Sequence, residues 1–433
     1  MNQRILRLGV IAFGCIACAA LSASADAART SLRAVLQTPG GELPFRLDLT
    51  PASAGKATAV IHNGREQIEI KDAEFSPERL VVPFGYFGSR IEATSSDGGA
   101  TWRGAWTKTG RGGKESRLDF SATPYAGYRF APLPPANEPA TDDPTPGEQT
   151  PTADITGRWD VAFAQSAEPT IGEFKVAADG TADGTFLTPG GDYRYLAGVY
   201  TDNRLRLSTF DGSHAFLFDA RFQPDGTLAG GFWAGNAWHE TWTARRAPDA
   251  KLPDGFNQAH ALGKADLANL HFADLAGNAH TLADMLGDSQ ACILEVFGSW
   301  CPNCHDASRL LDELQAKYAD RGLRVIGLAF EYTGDVQQDA QRIRDFMAHC
   351  HVTYPVLYGG FADREQVARK LPFLDGLKAY PTTIFLRADG AVAAVHTGFS
   401  GPATEDYPAQ RAAFERVIEQ MLPDPSRARH QAD

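Results

Sequence analysis

The chain has no runs of lysine and arginine, although it is 433 residues long. Its 41 basic residues are outnumbered by 53 acidic ones, which gives a formal net charge of −12. A protein that binds nucleic acid or an anionic membrane through charge needs a concentrated basic patch. The sequence therefore predicts neither kind of partner, and the acidic balance indicates solubility alone.

Long apolar runs are missing beyond the N-terminus. The single run, Leu8 to Ala20, follows Arg4 and Arg7 and is shorter than the ~20 residues that a membrane span needs. Ala23-Ser24-Ala25 then supplies the small residues of a signal cleavage site. We therefore predict a signal peptide over 1–25 and an exported, periplasmic protein.

Cysteine is scarce, with six residues in the whole chain. Cys15 and Cys18 fall in the predicted signal peptide, and a small residue precedes each. A lipoprotein cut at either one stays open as an alternative, and it is the only form that we expect to be anchored to a membrane. The remaining four are too few for a disulfide scaffold. They are Cys292, Cys301, Cys304 and Cys350.

Composition divides the mature chain into distinct parts. Residues 132–153 are rich in proline and carboxylates and contain no basic residue, which predicts a linker. Short alternating segments and Asp-Gly turns on both sides predict antiparallel strands, and the two flanks look like degenerate copies of each other. We expect an all-β barrel or sandwich of two similar halves, 28–131 and 154–247.

Six of the seven tryptophans lie in this β-rich region. We interpret them as core aromatics, and a surface on which a ligand stacks stays open as the alternative. They are Trp102, Trp106, Trp159, Trp233, Trp238 and Trp242.

From about residue 252 the pattern changes to alternating strands and helices, which predicts an α/β domain over 253–424. Apolar runs at 291–297 and 323–330 predict buried strands, and helical spacing predicts a helix at 302–322. The further predicted elements are a helix at 335–350, a strand at 353–358, a hairpin at 382–398 and a helix at 410–422.

The segment Trp300–His305 joins the first buried strand to the first helix, and two interpretations of it compete. Cys-x-x-Cys-His is the attachment signature of a c-type haem, in which His305 would be an axial ligand. Cys-x-x-Cys between a strand and a helix is also typical of a redox dithiol. We favour the dithiol, because a haem site is a small helical wrap and here a buried strand precedes the motif. On this interpretation the protein needs no cofactor beyond a Cys301–Cys304 disulfide.

The position of the two cysteines on the helix indicates their roles. Unpaired N–H groups and the helix dipole favour a thiolate at a helix N-terminus, so we predict that Cys301 is the nucleophile. Cys304, one turn later, would resolve the mixed disulfide by attacking Cys301. For His305 two roles stay open: a solvated helix residue, or a cation that stabilises the Cys301 thiolate.

Two residues outside the motif are further candidates. Glu295 lies in an otherwise apolar strand, where desolvation raises the pKa of a carboxyl group, and we predict that it accepts the proton of Cys304. The alternative is a glutamate whose carboxylate reaches solvent or an arginine. Tyr380-Pro381 precedes the predicted hairpin, and Pro381, if its peptide bond is cis, would present a backbone edge to a substrate.

Residues 253–424 resemble the thioredoxin-fold domain of the TlpA/ResA-like thiol–disulfide oxidoreductases. The matching stretches are EVFGSWCPNC, RVIGLAFEY and AYPTTIFLRADGAVAAVHTG. The resemblance implies that Cys301 is the nucleophile, Cys304 the resolving cysteine, Pro381 the cis-proline and Glu295 the buried acid. It also implies protein thiol or disulfide substrates and a membrane-bound electron donor.

Three positions depart from the family pattern. Ala307 stands where ResA-type proteins carry a glutamate, and Arg309 stands where thioredoxin has a helix-kinking proline. The dipeptide between the cysteines is Pro302-Asn303 rather than Gly-Pro. The reduction potential is therefore left open.

The other two cysteines of the mature chain have no predicted role in the chemistry. We interpret Cys292 and Cys350 as apolar filler, with a disulfide between them as the alternative. His349 and His351 flank Cys350, but adjacent residues rarely converge on one metal ion, so we predict no metal site.

The sequence as a whole predicts an exported thiol–disulfide oxidoreductase, most simply a reductase of protein disulfides with an N-terminal β unit for docking or stability. Two other classes stay open. One is a binding protein in which the β unit acts and the dithiol senses redox state, and the other is a haem carrier.

Overall fold

The structure is a computed structural model that describes residues 29–131 and 152–423. The predicted signal peptide, with Cys15 and Cys18, and nearly all of the predicted linker lie outside these ranges, as do the last residues of the chain. No helix within the described ranges is long and apolar enough to cross a membrane.

The first half is a closed barrel of eight antiparallel strands, in which each strand pairs with the next and the eighth returns to the first. The strands are β1 (Thr30–Thr38), β2 (Gly41–Pro51), β3 (Lys56–Asn63), β4 (Glu66–Phe75), β5 (Arg79–Phe84), β6 (Ser89–Thr94), β7 (Trp102–Thr109) and β8 (Glu115–Pro124). Alternate side chains of β6 are buried, as expected for a strand with one face on a core. Gly64, at φ 59°, provides the turn between β3 and β4.

The second half repeats this architecture. Its strands are β9 (Gly157–Phe163), β10 (Thr170–Val176), β11 (Thr181–Thr188), β12 (Gly191–Asp192), β13 (Leu196–Thr201), β14 (Arg204–Phe210), β15 (Ala215–Phe222), β16 (Leu228–Ala234) and β17 (Trp238–Arg246). Because β10 pairs with both β9 and β11, eight strands close into a ring, and the short β12 extends it at the end of β11. The prediction of two similar β halves is confirmed, and both are barrels.

Apolar side chains fill both barrels. Trp233 is half-buried, and Trp238 is 46% exposed, so the prediction of a core position is wrong for Trp238. Core positions are confirmed for the four buried tryptophans, Trp102, Trp106, Trp159 and Trp242.

The C-terminal unit is a thioredoxin-like α/β domain, as predicted. Its seven-stranded sheet has the order β19-β18-β22-β21-β20-β23-β24, with β20, β21 and β22 parallel. The strands are β18 (His271–Asp274), β19 (Ala279–Thr281), β20 (Ala291–Phe297), β21 (Leu323–Glu331), β22 (Val356–Phe361), β23 (Thr382–Arg387) and β24 (Val392–Thr397). The helices are α1 (Leu282–Leu286), α2 (Pro302–Tyr318), α3 (Val336–Cys350), α4 (Arg364–Lys370) and α5 (Tyr407–Met421).

Helices cover both faces of this sheet. Side chains of α2, α3 and α5 pack on one face, and side chains of α1 and α4 pack on the other. Successive side chains of a strand point to opposite faces, so Glu295 shares the α2 face with Ile293 and Phe297. A candidate acid in β20 is thereby directed at the helix that carries the two cysteines.

Both barrels pack against the thioredoxin-like domain. Tyr86 and Phe87 of the first barrel contact His305 of α2, with ring centroids 5.2 and 4.7 Å apart. Arg158 of the second barrel pairs with Asp406 before α5, at 2.9 Å. The first barrel therefore packs against α2, and the second barrel contacts the start of α5.

Candidate active site

Cys301 and Cys304 lie at the junction between β20 and α2. Cys301 is the N-cap of α2, and its sulfur accepts a hydrogen bond from the backbone N–H of Cys304 at 3.3 Å. The two residues form a disulfide, with Cα atoms 5.3 Å apart. Cys301 keeps 7% of its surface exposed, whereas Cys304 is fully buried. An incoming thiol can therefore reach Cys301 first, and the helix N-terminus favours its thiolate.

The predicted supporting residues surround Cys301. The Tyr380-Pro381 peptide bond is cis, and the Tyr380 carbonyl oxygen lies 3.7 Å from the Cys301 sulfur. Trp300 donates a hydrogen bond from Nε1 to the Phe330 carbonyl at 3.0 Å, and its ring meets the Tyr380 ring edge-on. The structure thus brings Trp300, Tyr380 and Pro381 together beside the nucleophile candidate.

Glu295 is fully buried beneath α2. Its carboxylate accepts hydrogen bonds from the Ser308 hydroxyl at 2.7 Å and from the Tyr354 hydroxyl at 2.6 Å. Burial raises the pKa of Glu295 to about 7, and the two hydroxyl donors partly oppose that rise. The alternative of a glutamate that reaches solvent or an arginine is therefore wrong.

Both roles predicted for His305 are wrong. It is 3% exposed, so it is not a solvated residue. Burial lowers the pKa of His305 well below its usual value, and the nearby His349 and Arg309 lower it further, so it does not supply a cation to Cys301. Its Nε2 instead lies 2.9 Å from the Ser299 carbonyl, so the neutral ring supports the loop that precedes Cys301.

The residues around His305 do not fit a c-type haem. Rings of Tyr86, Phe87 and Phe346 enclose the imidazole, with centroids 4.7–5.2 Å away. An axial ligand needs a free ring nitrogen that faces the porphyrin. The packing of His305 offers neither that space nor that orientation.

Glu331 is a second buried carboxylate at the site, and sequence reasoning missed it. It ends β21 and is 0% exposed. Its carboxylate accepts hydrogen bonds from the Ser299 backbone N–H at 2.7 Å and from the Ser299 hydroxyl at 2.8 Å. Burial raises the pKa of Glu331 to about 8. An acidic residue at the end of an apolar strand was the available signal, whereas Glu295 was identified inside one.

Arg194 is a second residue that the sequence did not reveal. It belongs to the second barrel, yet its guanidinium donates to the Pro302 carbonyl at 3.0 Å and to the Asp306 carboxylate in α2. It also pairs with Glu66 of the first barrel, at 2.5 Å. Arg194, Glu66 and Asp306 are each at most 9% exposed. These partners are more than 100 residues away in sequence, so no local pattern indicates the cluster.

The two remaining cysteines are buried and free. Cys292 packs on the α1 face of the sheet and Cys350 on the α2 face, so the alternative of a disulfide between them is wrong. Burial raises the pKa of each thiol to about 12, which makes both poor nucleophiles. In the described residues, no group of three His, Cys, Asp or Glu side chains is arranged to hold a metal ion.

Comparisons with known proteins match the C-terminal unit. The AhpC/TSA family matches residues 244–395. The thioredoxin-like protein YneN of Bacillus subtilis is 25% identical over 124 residues, which cover 29% of this chain and 65% of that protein. The thiol-disulfide oxidoreductase ResA of Halalkalibacterium halodurans is 22% identical over 132 residues, which cover 30% of this chain and 65% of that protein. The chain thus spans slightly less than two thirds of each curated relative.

Solved structures align with about a third of the chain. A putative thiol:disulfide interchange protein DsbE from Chlorobium tepidum is 23% identical, and the match covers 37% of this chain and 98% of that one with a TM-score of 0.29. A secreted disulfide oxidoreductase from Mycobacterium tuberculosis is 18% identical, and the match covers 34% of this chain and 98% of that one with a TM-score of 0.26. The sequence matches confirm the resemblance of the C-terminal unit to the TlpA/ResA-like group.

Proposed function

We propose, on the premise of that resemblance, that the protein is a thiol–disulfide oxidoreductase that reduces protein disulfides. One observation carries the proposal: Cys301 and Cys304 form a disulfide at the N-terminus of α2, with the cis Tyr380-Pro381 peptide against the Cys301 sulfur. This geometry leaves Cys301 7% exposed, buries Cys304 fully and places the cis peptide beside the Cys301 sulfur.

The exchange proceeds in two balanced steps. The Cys301 thiolate attacks one sulfur of a substrate disulfide, a mixed disulfide forms, and the other substrate sulfur leaves as a thiolate. Cys304 then loses its proton and attacks the Cys301 sulfur, which releases the second substrate thiolate. Two electrons pass to the substrate, and the Cys301–Cys304 disulfide is left behind.

We assign the Cys304 proton to Glu295. Cys304 is fully buried, so bulk water cannot take its proton directly. Ser308 lies four residues after Cys304, hence on the same face of α2, and it is the residue that holds Glu295 by a hydrogen bond. A carboxyl group with a pKa of about 7 can accept a proton and release it again near neutral pH.

Export to the periplasm and reduction by a membrane-bound electron donor belong to the same proposal. They are supported by the predicted signal peptide and by the resemblance to exported oxidoreductases. We assign the barrels to docking or stability rather than to binding a ligand in their interiors, because apolar side chains fill those interiors.

Insulin reduction tests the proposal. We expect the purified protein to accelerate precipitation of insulin in the presence of dithiothreitol, and Cys301→Ser to return the rate to the uncatalysed background, because no other exposed thiol exists in the described chain. Cys350→Ala is the matched control, since it removes a buried thiol and should keep the rate. An unchanged rate in Cys301→Ser would contradict the proposal.

A further inference from the structure

A turn of the second barrel lies against the backbone edge that a substrate would use. The turn is residues 188–191, between β11 and β12. An ideal Cβ on Gly190 would lie 3.6 Å from the Cβ of Ala379, the residue before Tyr380. The Pro189 carbonyl lies so close to Gly398 that a side chain there would clash, and Gly398 is hydrogen-bonded to Pro381. The turn therefore covers both segments that flank the cis peptide.

The same barrel also covers the dipeptide between the cysteines. Pro302 and Asn303 are both buried, and Gly191 lies so close to the Asn303 amide that a Cβ at Gly191 would clash with it. The Ser213 hydroxyl of the second barrel lies 3.5 Å from the Trp300 carbonyl. Of the residues next to the dithiol, Trp300 and Tyr380 stay partly exposed.

Arg194 holds this cover in place. It joins Pro302 and Asp306 of the thioredoxin-like domain to Glu66 of the first barrel. We call Arg194, Glu66 and Asp306 the clamp. Separating the barrels from α2 would break the hydrogen bonds from Arg194 to the Pro302 carbonyl and the Asp306 carboxylate. The clamp therefore favours the closed arrangement of the barrels on α2.

A folded protein that docks for a transient redox reaction buries up to about 1,200 Å² in total, which requires an open face on each partner. Around the covered dithiol, Cys301 is 7% exposed, and Trp300 and Tyr380 are partly exposed. A small thiol or a single extended chain needs less open surface than the face of a folded domain.

We propose that the barrels select substrates by shape. The dithiol exchanges fastest with small thiols and with extended chain segments, and it exchanges more slowly with the surfaces of folded proteins until the clamp opens. This inference rests on the proposed thiol–disulfide exchange at Cys301, and it narrows the substrate class of that site. Arg194 is a positioning residue in this scheme, because it acts through the barrel and not on the reacting sulfurs.

The test compares three reductants of the Cys301–Cys304 disulfide: dithiothreitol, an unstructured peptide with one Cys-x-x-Cys pair, and reduced thioredoxin as a folded protein. Rates are followed by alkylating the freed thiols of Cys301 and Cys304 and measuring the mass of the protein. We expect Arg194→Ala to raise the rate constant with thioredoxin by about tenfold or more, because the open population increases. The constants for dithiothreitol and the peptide should stay within about twofold.

Two further variants complete the design. Glu66→Gln keeps the shape of the clamp but removes one charge, and it should raise the rate constant with thioredoxin by a smaller factor. If Arg194→Ala does not fold, Glu66→Gln provides the test instead. Arg204→Ala is the matched control, because Arg204 pairs with Asp219 in the same barrel and outside the clamp. It should leave all three constants unchanged.

Unchanged rate constants with thioredoxin in both clamp variants would overturn the proposal that the barrels select substrates by shape. An equal acceleration with all three reductants would also overturn it, because that result would show a change in the reactivity of Cys301 itself. If none of the three reductants opens the wild-type disulfide, the proposed function fails instead.

Discussion

Glu295 and Glu331 are both fully buried carboxylates, but their hydrogen-bond partners give them different tasks. Glu295 is held by hydroxyl groups of Ser308 and Tyr354, under the helix that carries Cys304. Glu331 is held by Ser299, in the loop before Cys301. The first is placed to exchange a proton, and the second is placed to hold a loop.

Replacing Glu295 should change the pH dependence of the resolving step. Glu295 accepts a proton only when ionised, so the rate at which Cys304 releases the substrate should rise as pH passes through about 7 in the wild type. In Glu295→Gln that rise should be lost, and resolution should slow more than the initial attack of Cys301. Rapid-quench measurement of the mixed disulfide checks this, and equal slowing of both steps would contradict the role.

The same variant should gain stability in alkaline solution. Burial raises the folded-state pKa of Glu295 from 4.5 to about 7, so between these values the folded state binds more protons and stability falls as pH rises. At pH 8 Glu295→Gln should therefore unfold with a free energy higher by about 1–3 kcal/mol, and at pH 4 by much less. Denaturant titration at the two pH values measures the difference.

The residue scale also shows what local patterns can reveal. Cys301, Pro381 and Glu295 were identified because each is unusual within its own short stretch of sequence. The partners of Glu295 were not, because Ser308 and Tyr354 reach it only once α2 and the segment before β22 pack on the sheet. Arg194 was harder to predict still, since two of its charge partners, Glu66 and Asp306, come from other units.

At the scale of elements, the loop of residues 298–300 connects β20 to α2 and is held at three points. Glu331 accepts both hydrogen bonds of Ser299, the Phe330 carbonyl accepts from Trp300, and the Ser299 carbonyl lies against His305. This loop sets where Cys301 begins the helix. Its geometry therefore depends on the end of β21.

Replacing Glu331 should make the loop of residues 298–300 more mobile and leave the fold intact. We expect Glu331→Ala to lower the rate of insulin reduction by roughly tenfold, because two hydrogen bonds that position the loop are lost. Glu331→Gln should retain most of the rate, since its amide can accept from the Ser299 N–H and donate to the hydroxyl. Ser299→Ala keeps the backbone hydrogen bond and should fall between them.

Far-UV circular dichroism is the control for these three variants. The spectrum of each variant should match that of the wild type. A wild-type rate in Glu331→Ala would show that the loop is held without this carboxylate.

Element boundaries followed from sequence where hydrophobic periodicity was strong. The predicted strands at 291–297 and 323–330 correspond closely to β20 and β21, and the helix at 335–350 corresponds to α3, with Asp335 as its N-cap. The first helix ends at Tyr318, earlier than predicted. The short elements β18, β19 and α4 were missed, because three to seven residues are too few to establish a period.

At the scale of the whole molecule, the clamp joins three units that would otherwise be separate. Glu66 belongs to the first barrel, Arg194 to the second and Asp306 to the thioredoxin-like domain. The sequence predicted the units themselves from turn spacing and composition. It could not predict their mutual packing, which depends on side chains more than 100 residues apart.

We expect the three units of the wild type to unfold together. Tryptophan fluorescence is dominated by the buried barrel residues and circular dichroism also reports the helices, so the two signals should share one midpoint in guanidinium. Arg194→Ala should separate the two midpoints, because removing one partner of a buried charge pair costs about 3–5 kcal/mol. Arg204→Ala should keep them coincident. Coincident transitions in Arg194→Ala would show that apolar packing alone couples the units.

Closure of the two barrels has a consequence for how the chain behaves at high concentration. An unpaired strand edge is a template for polymerisation between molecules. Each long barrel strand in the described chain has a neighbour on both sides. The outer strands of the remaining sheet are β19, which has three residues, and β24. Phe256 packs against His396 of β24. The 24 strands of residues 29–131 and 152–423 thus present little edge to neighbouring molecules, and we expect the protein to resist aggregation after refolding.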